Sequence, residues 1–534
     1  MKGLWNIPQI WKWVEIKSLG DVVSGGTPST KEMSYWGDDI NWISPADLTG
    51  YTKKTIARGA KSLTHQGLAK SSAKLMPAGS IHFSSRAPIG YVAISSQPLS
   101  TNQGFKSLVP AQGVFNEYVY YYLKATKYIA EERASGTTFR EISGTAFGKL
   151  PLPFPPLPEQ HRIVAKIEEL FSELDNGIKS LKKAREQLKT YRQAVLKYAF
   201  EGKLTKEWRT LQRRAGNPPE PSEKLLERIR KEREKHYQQQ IVKWKQAVTE
   251  WKANGEKGKK PTRISRPKTL SKLTYEETEI YGELPTSWRW STFCNVTYKV
   301  GDIDHKMPKD FTGGLPYLST GNLKKDGTID FANAKTISKE DYKRLSLKIK
   351  PERGDIIFPR YGTIGRNILI NFNKEFLVSY SCAIIKNIPS LMNGKFIYYY
   401  SLSPVIKKEI EKYTVQTTQA NIGIASIENF IFPLCSLPEQ QAIVQEIESR
   451  LSVCDKIEQT VEDSLKKAEA LRQSILKKAF AGELTRDWRE KHPELITGEN
   501  SAEKLLEKIK AEKARSTVNR KKTRSEKTKI KVKQ

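Results

Sequence analysis

Leu157-Pro158-Glu159-Gln160-His161-Arg162-Ile163-Val164 returns as Leu437-Pro438-Glu439-Gln440-Gln441-Ala442-Ile443-Val444, and from there an ungapped shift of 280 residues holds to the end of a long helical pattern. Along it Arg192-Gln193 meets Arg472-Gln473, and Ala199-Phe200 meets Ala479-Phe480. The stop repeats too. Gly202, Leu204-Thr205 and Trp208-Arg209 answer Gly482, Leu484-Thr485 and Trp488-Arg489, and Glu223-Lys224-Leu225-Leu226-Glu227 answers Glu503-Lys504-Leu505-Leu506-Glu507. Self-similarity at a fixed spacing decides architecture before local propensity does. The chain is an internal duplication.

The segments in front of the two helices repeat more loosely. Pro8 and Trp11-Lys12-Trp13 correspond to Pro285 and Trp288-Arg289-Trp290, and Trp42-Ile43-Ser44 to Tyr317-Leu318-Ser319. Gly79-Ser80-Ile81-His82-Phe83 corresponds to Gly354-Asp355-Ile356-Ile357-Phe358, and Ile89-Gly90 to Ile364-Gly365. Further on, Tyr120-Tyr121-Tyr122 answers Tyr398-Tyr399-Tyr400, and Gly136-Thr137-Thr138 answers Gln416-Thr417-Thr418. The shift is 277 at the first of these pairs, 275 from Trp42 to Gly90, and then grows to 280, so the length differences fall in loops. Loops are where binding specificity varies.

Short β-branched or aromatic runs bounded by Gly or Pro predict strands at Ile40 to Ile43, Ser80 to Phe83, Gly90 to Ile94, Asp355 to Phe358 and Asn367 to Ile370. The Gly-bounded stretches Gly79 to Gly90 and Gly354 to Gly365 lead into no helical pattern, so they read as strand-turn-strand and not as phosphate-cradling loops. Apolar residues at helical spacing predict helix between Asn116 and Glu132 and between Lys395 and Lys412, with the tyrosine triplets in the core. Each module is α+β. After Pro158 the period becomes 3.5. Positions 163, 167, 170, 174, 177, 181, 184, 188, 191, 195 and 198 are Ile, Ile, Leu, Leu, Gly, Leu, Ala, Leu, Tyr, Val and Tyr, a coiled-coil seam. Its packing residues are Ile163, Ile167, Leu170, Leu174, Leu181 and Leu188; the second copy offers Ile443, Ile447, Cys454, Ile457, Val461, Ala468, Leu471 and Ile475, with Arg450, Ser464 and Lys478 interrupting the stripe.

The chain therefore divides into a first module (1–157), a spacer helix (158–209), a charged connector (210–284), a second module (285–437), a second spacer helix (438–489) and a charged helix with a basic tail (490–534). In the connector, Ser222 is the expected N-cap of a helix running to about Trp251. Asn254 to Lys260 reads as a flexible link, and Lys513 to Gln534 as disordered.

Charge narrows the partners. Ninety-one Lys and Arg (91) against 59 Asp and Glu give a net charge of +32, a field that favours polyanions, nucleic acid first. The absence of an apolar run near 18 residues excludes a membrane span, and the first residues carry no signal stretch, so a cytoplasmic location is expected. Cys294, Cys382, Cys435 and Cys454 are scattered, which suits buried thiols in a reducing compartment.

Catalytic signatures are missing. Asn217-Pro218-Pro219-Glu220 lacks the aromatic residue of an adenine-modifying turn, and Gly148-Lys149-Leu150, Gly202-Lys203-Leu204 and Gly394-Lys395-Phe396 lack the Ser or Thr of a nucleotide-binding loop. The histidines, His65, His82, His161, His236, His305 and His492, have no paired-ligand spacing, and no metal site is expected. Asp302, Asp304 and Asp355 read as turn or strand-edge carboxylates.

The Leu-Pro-Glu-Gln helix starts at 157 and 437, the Ala-Phe-x-Gly-x-Leu-Thr exits at 199 and 479, and the order module, helix, module, helix resemble the specificity subunits of type I restriction-modification systems. Gly354-Asp355-Ile356-Ile357-Phe358 and Gly136-Thr137-Thr138 also look like that family. The resemblance implies two tandem α/β target recognition domains, each reading one half of a split double-stranded DNA sequence, and two helices paired as an antiparallel coiled coil that fixes the spacing. It further implies two methyltransferase subunits carrying S-adenosylmethionine, restriction subunits carrying ATP and Mg2+, and a bacterial or archaeal host. No catalytic residue and no cofactor are expected in this chain. The long connector and the basic tail depart from the plainest family pattern.

Base reading needs polar side chains that reach groove edges, whereas Lys and Arg on phosphates only position the protein. The candidates in the first module are Ser84, Ser85, Arg86, Thr137, Thr138 and Arg140, and in the second Arg360, Tyr361, Arg366, Thr417, Thr418 and Gln419. All are polar residues in turns beside predicted strands.

Overall fold

The computed structural model describes residues 5–136, 140–257, 260–414 and 420–515. They form two compact units that do not follow the order of the chain: Met1–Lys182 with Glu462–Gln534, and Lys183–Val461. Each unit holds one module, the first part of that module's own long helix and the last part of the other one.

The two modules share a sheet topology. In the first, the strands Gly20–Ser24, Phe105–Pro110, Ile81–Ser84, Val92–Ser95 and Thr55–Ile56 lie in that order in one sheet. In the second, Lys299–Gly301, Cys382–Lys386, Ile356–Pro359 and Ile368–Leu369 reproduce the first four places. Each module also has a three-stranded sheet with one parallel pair, Trp42 on Ser100 in one copy and Tyr317 on Leu377 in the other. A two-stranded antiparallel ribbon closes each module, joining Lys12–Glu15 to Pro151–Phe154 and Arg289–Thr292 to Ile431–Leu434. The strand-turn-strand reading of the Gly-bounded stretches holds, with Ile81 opposite Ile94 and Ile356 opposite Leu369. Each predicted helical stretch is two helices, Asn116–Ala125 and Lys127–Glu132, then Gly394–Ser401 and Pro404–Tyr413. Tyr118, Tyr122 and Tyr400 are buried, and the Tyr400 hydroxyl donates to the Ile431 carbonyl at 2.9 Å.

The long helices, Leu157–Phe200 and Leu437–Phe480, have 44 residues each, about 66 Å at 1.5 Å per residue. They run antiparallel within each unit. In the first unit Glu159, at the start of one helix, meets Thr485 and Arg489 beyond the end of the other, while Asp175 pairs with Arg472 further along. In the second unit Glu439 meets Thr205 and Arg209, while Arg192 donates to Asp455 at 2.7 Å and Glu458 at 2.8 Å. Shifting Asp175, Arg192, Glu159 and Arg209 by 280 gives Asp455, Arg472, Glu439 and Arg489, so the two sets of contacts are copies except at Glu458, whose counterpart is Ile178.

That repetition explains the two motifs. Glu159 and Gln160, and likewise Glu439 and Gln440, are fully buried. Gln160 accepts from the Phe115 amide and donates to the Pro155 carbonyl; Gln440 does the same with Asn393 and Cys435. Glutamine thus ties each helix to its own module. Glutamate ties it to the exit of the opposite helix: Glu159 accepts from Trp11 Nε1 at 2.8 Å, from Thr485 and from Arg489. The exit glycine must turn left-handed to end its helix. Gly482 has φ +77, and a Cβ there would lie 2.6 Å from Pro8; Gly202 has φ +71 with Pro285 at 2.5 Å. Phe480 packs on Tyr118 and Tyr122, and Phe200 on Phe396 and Tyr400.

Of the two rows of the heptad seam, one stays inward along the whole helix and the other turns outward past its first positions, Tyr198 at its end being exposed. Ile163, Ile167, Ile443, Ile447, Cys454, Val461, Ala468 and Ile475 are buried, and Leu170, Leu174, Leu181 and Leu188 are half-buried. Ile457 and Leu471 are instead 43% and 50% exposed, as are their counterparts Gly177 and Tyr191. The contact face has moved on by one residue there, which brings Arg192 and Arg472 into the seam.

The connector is less detached than its composition suggests. Its helix, Ser222–Ala253, buries Leu225, Leu226 and Ile229 beside Trp288 in the core of the second module. Ser222 is the first helical residue and not the N-cap, a place taken by Pro221 without a side-chain bond. The chain then returns along the module, with Arg233 donating to the Lys268 carbonyl and Asn295 bonded to both backbone groups of Leu270. In the first unit residues 502–515 are helical and pack Ala502 and Ile509 into the core. The expected disorder from Lys513 therefore begins too early, since the Lys513 ammonium donates to the Lys17 and Gly20 carbonyls. The remainder of the tail, and residues 258 and 259 of the expected flexible link, lie outside the described residues.

One core position makes the first module acid-sensitive. His82 is fully buried, with Nδ1 at 2.9 Å from Ser107 Oγ, and burial pushes its pKa down to about 3. Between pH 6.5 and 3 the unfolded chain binds a proton here that the folded chain refuses. Stability is therefore lost as pH falls through that window, at up to about 1.4 kcal/mol per pH unit. The second module carries Ile357 at the corresponding place. In urea titrations, His82→Ile should flatten the stability loss between pH 6.5 and 5; an unchanged slope would contradict the assignment.

Candidate nucleic-acid interface

The stretches chosen in each module are far apart in sequence, and one backbone bond joins them in both copies. Ile142 N donates to the Ser85 carbonyl at 3.1 Å, and Ile422 N donates to the Arg360 carbonyl at 3.0 Å. The turn after the central strand is thus held against the loop that precedes the module's last short helix. In the first module a bridge between Ser135 and Glu141 closes the base of that loop, and in the second Tyr361 bridges to Asn421.

Around this bond the candidates separate by burial. Ser84 is fully buried; its hydroxyl donates to the Pro88 carbonyl and accepts from the Tyr91 amide. Ser85 is also buried, its hydroxyl on Glu141 at 3.2 Å. Arg360 is only 6% exposed, and its guanidinium is bound to Asp302 and to the carbonyls of Ile422 and Tyr380. These three side chains hold the frame beneath the surface, because a buried polar group needs an internal partner. Arg86 is 37% exposed and loosely paired with Glu141 at 3.4 Å. Arg140 is exposed, with one nitrogen on the Glu131 carbonyl; Tyr361 and Arg366 are half-buried. Thr137, Thr138, Thr417, Thr418 and Gln419 lie outside the described residues.

Further side chains share the surface with them. In the first module the Lys106 ammonium bonds both the Gln103 carbonyl and Glu141, and the Gln103 side chain accepts from the Thr27 hydroxyl. Burial pushes the Glu141 carboxyl up, but the bond from Lys106 and the charges of Lys106 and Arg86 outweigh it and hold the group below the usual carboxylate range. In the second module His305 stacks on Tyr380 at 4.6 Å between ring centres, and Tyr361 meets the same ring edge-on at 6.2 Å. His305 is 63% exposed, with Nε2 at 3.3 Å from Asp302. Asp302 is the buried hub, holding Arg360, Lys348 and His305. Asp355 is likewise structural, accepting from Lys386 and from the Glu352 and Asn387 amides. Thr27, Gln103, His305 and Tyr380 come from other strands and were not singled out by the sequence; extending the self-comparison through those strands pairs them.

Among the described residues no three His, Cys, Asp or Glu side chains gather in a way that could hold a metal ion. No helix among them is long and apolar enough to cross a membrane.

The model of the Type I restriction modification DNA specificity domain matches the chain twice, over residues 8–184 and 293–467. The chain belongs to this family. Each matched stretch contains most of one module and more than half of its long helix, so the specificity domain occurs here as a tandem pair. The EcoBI specificity subunit of Escherichia coli is 25% identical over 520 residues, covering 97% of this chain and 95% of that protein. The MjaIX specificity subunit of Methanocaldococcus jannaschii is 42% identical over 186 residues, 34% of this chain and 42% of its relative's length. Among solved structures, a chain from a study of complex assembly and conformational transition of the type I R-M system matches with a TM-score of 0.54 and 16% identity, over 90% of this chain and 100% of that one. The HsdS subunit from Thermoanaerobacter tengcongensis matches with a TM-score of 0.50 and 16% identity, over 90% and 99%. At these identities the two structures speak for the fold of the specificity family.

Proposed function

We propose that this chain is the non-catalytic DNA-reading subunit of a type I restriction-modification complex, each module reading one half of a bipartite, asymmetric target. The observation that carries this is a single frame used twice, with the same backbone bond at Ile142 and Ile422 and different exposed side chains around it. Two identical surfaces would read a symmetric sequence. Two different surfaces on one frame read two words. The helices keep the words at a fixed distance, and the repeated junctions at Glu159 and Glu439 offer equivalent places for two methyltransferase subunits. S-adenosylmethionine, ATP and Mg2+ belong to the methyltransferase and restriction subunits, and the complex works in the cytoplasm.

Selection of duplexes from a randomised pool by the full chain should return a consensus in two parts separated by an unspecified gap. The chain alone should leave that DNA intact and unmethylated, and addition of methyltransferase subunits should bring adenine methylation to it. Cleavage or methylation by the purified chain alone would support a self-contained enzyme instead.

A further inference from the structure

Strand register matches the two surfaces position by position. In the first module Leu108 lies opposite both Val22 and Ile81; in the second Ile385 lies opposite both Val300 and Ile356. Val22, Leu108 and Ile81 are therefore equivalent to Val300, Ile385 and Ile356. Counting five residues on from Val22 and from Val300 reaches Thr27 and His305. Counting five back from Leu108 and from Ile385 reaches Gln103 and Tyr380. Five on from Ile81 and from Ile356 are Arg86 and Tyr361. The contacts agree with the count, for Thr27 touches Gln103 where His305 touches Tyr380.

We propose that these three equivalent positions determine specificity, the first module reading through Arg86 and Gln103 braced by Thr27, and the second through the aromatic set His305, Tyr361 and Tyr380. This deepens the two-word reading above and rests on it. Side chains at these places are exposed or half-buried, whereas the polar groups just beneath them, Ser84, Ser85, Lys106, Asp302 and Arg360, are spent on the frame. The surface chemistry differs in kind. Arginine and glutamine each present a two-pronged edge, matched to guanine O6 and N7 and to adenine N6 and N7 in the major groove. The aromatic set has no such fork at the Arg86 and Gln103 positions; it offers ring faces and edges for apolar contact with a thymine methyl group or for stacking. The first half-site is accordingly read at purine edges, and the second by shape and apolar contact.

The test is selection from a randomised duplex pool by the full chain and by its variants, with thermal melting as a check on folding. Gln103→Glu, near-isosteric and exposed, removes the amide donor; it should relax or change one or two base preferences at least tenfold in one half and leave the other half intact. Tyr380→Ala with His305→Ala should do the same in the opposite half, and Tyr380→Phe should keep the wild-type consensus there. A wild-type consensus in two parts that survives Gln103→Glu unchanged, or a change in both halves from either variant, would overturn the assignment. Should the double alanine variant fail to fold, Gln103→Glu alone decides. Absence of any consensus in the wild-type chain would instead count against the two-word reading itself.

Discussion

Replacing Glu159 by alanine is expected to destabilise the first unit by about 3–5 kcal/mol, the usual cost of removing one partner from a buried ion pair. The carboxylate is fully buried and satisfies three donors at once, Trp11 Nε1, the Thr485 hydroxyl and the Arg489 guanidinium. Arg489, only 13% exposed, would be left with the Gly482 carbonyl, Thr485 and the Trp11 ring face. Residues from the start of the chain, from the first long helix and from beyond the second would come apart together. The copy in the second unit supplies a control. There Trp288 Nε1 and Glu439 Oε2, the two atoms that pair in the first unit, are both buried without a hydrogen bond. Glu439→Ala thus removes fewer bonds and should cost less than Glu159→Ala. Urea unfolding of the full chain, followed by amide exchange in residues 116–125 and 394–401, would separate the units; a cost below about 1 kcal/mol for Glu159→Ala would contradict the role given to the junction.

This junction also marks where sequence reading stops. The constant shift of 280 was visible because helix and exit are fixed at many points, so insertions are not tolerated there. Why Glu159 and Glu439 recur was not visible, since their partners Arg489 and Arg209 lie hundreds of residues away and only the antiparallel pairing brings them close. The seam was legible in the row Ile447, Cys454, Val461, Ala468 and Ile475, which is buried throughout, and not at Ile457 and Leu471, whose places in the contact are taken by their half-buried neighbours Glu458 and Arg472. That the connector helix belongs to the second module was not legible, because its charge hides the short apolar stripe Leu225, Leu226 and Ile229.

At the candidate interface the turn at 84–86 and 360–366 was legible, because Gly-bounded strand pairs announce it. Burial was not. Ser84, Ser85 and Arg360 occupy the same turns as Arg86 and Tyr361, yet internal partners draw them inward: Pro88 and Tyr91 for Ser84, Glu141 for Ser85, and Asp302 and the Ile422 carbonyl for Arg360. Thr27, Gln103, His305 and Tyr380 arrive from neighbouring strands, a register that turn composition alone does not encode.

The largest functional effect should come from exchanging the second module as a unit. The structure sets the boundaries: the connector helix belongs to that module through Leu225, Leu226 and Ile229, through Tyr298 on Glu232 and through Arg233 on Lys268, so the exchange must run from residue 222 to residue 436. Both long helices and both exits then remain those of this chain. Mapping methylated adenines in cells that carry the exchanged chain and its methyltransferase subunits is the most direct measurement. One half of the target should change to that of the donor, with the other half and the gap between them retained; a change in both halves, in neither, or in the gap would contradict the account.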